Sequence, residues 1–144
     1  MAILQEMIHE ARIIPLDGRP HLSQDIRQWM GDSRAHWEGD TLVVDTTNYH
    51  DLVMFNSYNC CRGAGRNLHI VERYTRTDAV TIDFRFSVED ASTFTRSFAI
   101  AIPLMATEGP LYEYACHEGN YGMLGILTGA RAQEKAAVST EGSK

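Results

Sequence analysis

Apolar and polar residues alternate with period two through the middle of the chain. Val80, Ile82, Phe84, Phe86 and Val88 interleave with Thr81, Asp83, Arg85, Ser87 and Glu89. A strand sends successive side chains to opposite faces, so this segment has one face on a core and one in water. Leu68–Thr75, Ser92–Leu104 and Leu111–Cys116 also read as strands. Short turns at Thr77-Asp78, Glu89-Asp90-Ala91 and Thr107-Glu108-Gly109-Pro110 separate them, the signature of an antiparallel meander. Thr41–Thr47 is a strand by its β-branched content. Met7–Leu16 is another, ended by the turn Asp17-Gly18-Arg19-Pro20. About six strands are expected in all.

Two segments carry a helical pattern instead. Ser23 is placed to cap a short helix near 23–30 bearing Ile26, Trp29 and Met30, with Gly31 as its stop. Between Asn120 and Lys135, Tyr121, Leu124, Leu127 and Ala130 recur at helical spacing. Gly122, Gly125 and Gly129 weaken that second helix by about 1 kcal/mol each relative to alanine. Trp37-Glu38-Gly39-Asp40 reads as a turn or bulge, Tyr49–Asn67 as the longest irregular stretch, and Val138–Lys144 as a frayed tail. The fold class is mainly β: an antiparallel meander forming a barrel or strongly curled sheet, as one domain over residues 1–137.

Charged residues interrupt the apolar faces of this pattern. Glu72 shares a face with Leu68, Ile70 and Tyr74; Arg96 with Phe94, Phe98 and Ile100; Glu113 and His117 with Leu111 and Ala115. A lone buried charge is costly, so such groups are paired or functional. If the last strands pair in order, Arg96 reaches Glu113 across one ladder, and Glu72 joins them only if the sheet curls. As an enzyme the chain would be a lyase, isomerase or hydrolase working by proton transfer. His117 is then the general acid or base, Arg96 the anion stabiliser and Glu113 the orienting group, with Glu72 beside them. As a binding barrel it would hold an apolar or aromatic molecule against Tyr74, Phe84, Phe94 and Phe98, with Arg66 available to an anionic group. As a structural domain its buried charges would only fix strand register. The three readings stay open on the residues alone.

The remaining chemistry narrows little. None of the six histidines forms an HxH, HxxxH or HExxH pair. A metal site is therefore not indicated, and if one exists His21, His69 and His117 must converge from distant elements. No organic cofactor is implied. Arg62-Gly63-Ala64-Gly65-Arg66 lacks the strand–loop–helix setting of a nucleotide loop. Cys60, Cys61 and Cys116 form no CxxC, and Cys116 points away from its neighbour His117 by strand parity. Thirteen basic against nineteen acidic residues, a net charge of −6, argues against nucleic acid or an anionic membrane as partner. No apolar run approaches the roughly 18 residues of a membrane span. Unpaired sheet edges would invite a homodimer.

Several segments together resemble an uncharacterised protein family common in soil bacteria. They are Asp17–His21, Trp29–Ser33, Trp37–Thr46, Leu68–Arg73 and Glu113–Tyr121. The likeness covers most of residues 12 to 135, and residues 56–61 depart from it. It implies no particular reaction. It implies that the chain corresponds to the C-terminal portion of longer, exported proteins, in keeping with an N-terminus that lacks signal-peptide character and enters a strand directly. The strand count and the Trp37-Glu38-Gly39 start are also similar in architecture to calycin barrels such as lipocalins and fatty-acid-binding proteins. That likeness concerns fold and not activity.

Overall fold

A computed structural model describes residues 1–6, 11–51, 65–114 and 121–141. It is mainly β, with two antiparallel sheets and one C-terminal helix. The chain divides into two compact units, Met1–Leu111 and Tyr112–Lys144.

Among the described residues, the strands all lie in the first unit. β1 (Ala2–Leu4) and β2 (Ala11–Ile13) form a two-stranded ribbon. β3 (Asp32–Glu38), β4 (Thr41–Thr47), β5 (His69–Arg76), β6 (Thr81–Glu89) and β7 (Phe98–Met105) pair in sequence order as an antiparallel meander. Among the described residues β3 and β7 are the two edges of this sheet, and no ladder joins them.

Register divides the sheet into an apolar and a polar face. Ala35, Val44, Glu72, Phe86 and Ile100 lie in one row across all five strands, flanked by Leu42–Tyr74–Phe84–Ile102 and by Thr46–Ile70–Val88–Phe98. Ile14, Ala35, Leu42 and Val44 form one buried cluster, with Ile3 and Tyr74 against it. Tyr49, Leu68, Ile70 and Val88 form a second, supported by Phe86, Phe94 and Phe98. Each buried Leu, Ile or Val contributes roughly 1.5–3 kcal/mol. The opposite face carries Asp32, Arg34, Asp45, His69, Arg73, Asp83 and Arg85.

Several elements differ from the sequence expectation. The helix near 23–30 is absent: this stretch is turns, with Gln28 bridged to Tyr49. The carbonyls a helix would use are taken by a distant side chain, since Asn48 Nδ2 donates to the oxygens of Leu22 (3.1 Å), Ser23 (2.9 Å) and Ile26 (3.1 Å). Asp32–Glu38, where no strand was expected, is a full strand, and the turn read at Trp37-Glu38-Gly39-Asp40 is confined to Gly39 and Asp40. The last sheet strand begins at Phe98 and not at Ser92, because the Asp90 carboxylate binds Ser92 and Thr93 into a turn. Residues 111–114 belong to no strand, and 115–116 lie outside the described residues. Of the strand expected over 7–16, residues 11–13 are strand and 7–10 lie outside the described residues.

In the second unit α1 (Gly122–Glu141) confirms the C-terminal helix and runs past its expected end into the segment read as a tail. The Thr128 hydroxyl satisfies carbonyls within it, those of Leu124 (2.8 Å) and Gly125 (3.0 Å). No helix among the described residues is long and apolar enough to cross a membrane.

Candidate functional site

Glu72 lies on the apolar face, buried, between Val44 on β4 and Phe86 on β6. Its partner is Arg12 of β2. Arg12 Nη2 stands 2.7 Å from Glu72 Oε2 as an ion pair, with both side chains about nine-tenths buried. The Tyr74 hydroxyl donates to Glu72 Oε1 at 2.9 Å. Alternation explains the set: Ile3 and Arg12 are cross-strand partners in the ribbon, so they share the side that meets the sheet. Burial first, and then the Glu72 charge and hydrogen bond, pushes the Tyr74 hydroxyl pKa upward. Tyr49 is raised by burial and by the same charge. Both phenols therefore stay protonated well beyond neutral pH.

An apolar cleft opens beside this group. It has a volume of about 290 Å³ and is lined chiefly by Met1, Ile3, Trp37, Leu42, Tyr74 and Ile82. Tyr74 stacks on Phe84 with ring centroids 4.7 Å apart, and Phe84 on Phe86 at 5.4 Å. The result is an aromatic row running from the cleft along the sheet, with the Glu72–Arg12 pair fixing its polar end.

The other expected site residues are dispersed. Phe94 and Phe98 meet edge to face at 5.1 Å and pack in the Tyr49–Leu68 cluster, not at the cleft. Arg66 is on the surface, held by Asp51 at 3.1 Å. Arg96 is exposed in the turn after β6, and Glu113 is exposed in a stretch that forms no strand. The ladder that was to pair them is absent. His117 lies outside the described residues.

A second polar group stands on the opposite face. His21 Nδ1 is 2.9 Å from Asp32 Oδ2, and its Nε2 is 2.9 Å from Asp45 Oδ1. The other oxygen of Asp45 is 3.0 Å from His69 Nε2, while His69 Nδ1 is 3.7 Å from Glu89 Oε2. Acid and imidazole thus alternate from Asp32 to Glu89, with Arg34 on the far oxygen of Asp32 at 3.1 Å. His21 and His69, two of the three histidines named as metal ligands if a metal exists, face a carboxylate between them, and the third, His117, lies outside the described residues. No three His, Cys, Asp or Glu groups among the described residues are placed to share a metal ion.

Sequence reasoning missed Arg12 and Asp45. Arg12 had a signal: it shares strand parity with Ile14 and Leu16, so it falls on an apolar face by the rule that singled out Glu72. Asp45 had none, because it alternates correctly with Val44 and Thr46. Comparison of the chain with protein-family models, with curated proteins and with solved structures finds no match.

Proposed function

We propose that the first unit is a binding module for a small apolar or aromatic molecule, held beneath the β1–β2 ribbon on the apolar face of a strongly curled, barrel-like sheet. The observation that carries this is the cleft of about 290 Å³, lined by the apolar Met1, Ile3, Trp37, Leu42 and Ile82 and by Tyr74, with Asp40 and Arg76 as its charged lining residues. Apolar concavity with few, well-held polar groups is the usual build of a small-molecule site. Binding fits this cleft better than proton transfer: Tyr74 keeps its proton and Glu72 is ion-paired. The acid–base reading depends on His117, outside the described residues. The Arg12–Glu72 pair also supports a structural role, because it ties the ribbon to the centre of the sheet.

Trp37 lines the cleft, so titration with a neutral naphthylamine probe should change tryptophan emission and saturate. A Trp29→Phe background removes the other indole. Ile82→Trp should fill the cleft and weaken probe binding at least tenfold. Ile13→Trp, at an exposed position of β2, should not. Equal affinity in both variants would overturn the assignment.

A further inference from the structure

The two edges of the main sheet differ sharply in chemistry. β3 alternates Asp32, Arg34, His36 and Glu38 along one face, and its Ala35 N–H already donates to Pro15 O at 3.0 Å. Charge and an added chain are the ordinary protections of an edge. β7 carries no charge and, among the described residues, has no second neighbouring strand: it reads Phe-Ala-Ile-Ala-Ile-Pro-Leu-Met, with seven of its eight residues exposed.

The register shows what this edge offers. Ala106 N–H donates to Val80 O at 2.7 Å, just beyond the paired residues Thr81 and Met105. In an antiparallel ladder hydrogen-bonded and non-hydrogen-bonded pairs alternate. The even-numbered residues of β7 therefore bond to β6, and Ala99, Ala101, Pro103 and Met105 direct their backbone groups away from it. Pro103 falls at one of the outward positions, where its missing N–H costs the ladder nothing, as expected of an edge strand.

We propose that β7 is a self-association edge, pairing antiparallel with β7 of a second copy to join the two five-stranded sheets. A second copy is the occupant that this strand matches best. A pairing centred on Ile100 sets Ala99 of one copy opposite Ala101 of the other, using their outward groups in both directions across a two-fold axis and leaving Pro103 outside the central pairs. Phe98, Ile100, Ile102 and Leu104 then continue as one apolar row across both copies. The small residues of the other face let the backbones approach. A chain of net charge −6 repels its copy over most of its surface, and this strand is free of charge.

Sedimentation velocity on the full chain over a concentration series, from about 1 to 300 µM, tests this. The wild type should shift to twice the monomer mass. Ala101→Lys sets an ammonium group opposite Ala99 of the other copy, in the centre of an otherwise charge-free pairing, and should raise the dimer dissociation constant at least tenfold with an unchanged circular dichroism spectrum. Ala99→Lys serves the same purpose should the first variant fold poorly. His36→Lys, on the protected edge, should leave the dimer intact. A wild type that stays monomeric at the highest concentration, a lysine variant that dimerises as before, or a dimer broken by His36→Lys instead would each overturn the proposal.

Discussion

A carboxylate among aliphatic and aromatic side chains holds its place only through its partners. Glu72 has two, Arg12 and Tyr74, from different elements. Removing one leaves a buried charge uncompensated, which typically costs 3–5 kcal/mol, whereas replacing the whole pair by apolar groups is often neutral. Arg12→Met should therefore lower the free energy of unfolding by about 3–5 kcal/mol, and Arg12→Met/Glu72→Leu should recover most of the loss, as read by urea denaturation. Equal instability of the single and double variants would show that Arg12 acts through packing and not charge. Glu72 was legible in the sequence because alternation alone puts it on the apolar face. Its partner Arg12 was not, and Arg96 was expected opposite Glu113, because parity states which face a residue occupies, not what lies across from it.

At the scale of elements, local chemistry decided some boundaries and distant chemistry others. The turn after β6 belongs to the first kind. Asp90 is buried, which by itself would raise its pKa. The hydrogen bonds from the Ser92 side chain and N–H (2.9 Å), from Thr93 and from the Gly65 N–H outweigh this and hold the carboxyl below its usual range. A lowered folded-state pKa contributes stability in full above the unfolded value near 3.9, lost as pH falls through the folded value. Asp90→Asn should cost about 2 kcal/mol at neutral pH, and its gap to the wild type should narrow as the pH falls below the ordinary carboxylate range in urea titrations. A gap constant with pH would mean that the Asp90 charge plays no part. The strand at 81–89 and the C-terminal helix were readable because a long run repeats one period. β3 was not, because Asp, Ser, Arg, His and Glu dilute its apolar signal, although Ser33, Ala35 and Trp37 do alternate onto the apolar face. The stretch 23–30 failed in the other direction: its pattern is helical, and a side chain far away in sequence holds its carbonyls.

For the sheet as a whole, the segment between β2 and β3 is the connection to break. It leaves the apolar face at buried Ile14, meets the β3 edge at Pro15, and reaches the polar face at His21. Asn48 anchors it through three carbonyls, from a backbone with φ of 58° that asparagine tolerates better than most residues. Asn48→Ala should remove these bonds and add strain, for a loss of about 2–4 kcal/mol in chemical denaturation. Asn48→Gly, which keeps the conformation without strain, should lose less. Equal losses would place the whole effect in the hydrogen bonds. By itself the sequence determined the class, mainly β with an antiparallel meander and a C-terminal helix, and it placed Glu72 among apolar neighbours. These follow from period and turn chemistry, which act over a few residues. Only the tertiary structure decided that Arg12 answers Glu72, that Asp45 stands between two histidines, and that β3 and β7 are the sheet edges among the described residues. Those facts depend on register and on contacts between residues tens of positions apart, and neither leaves a periodic trace along the chain.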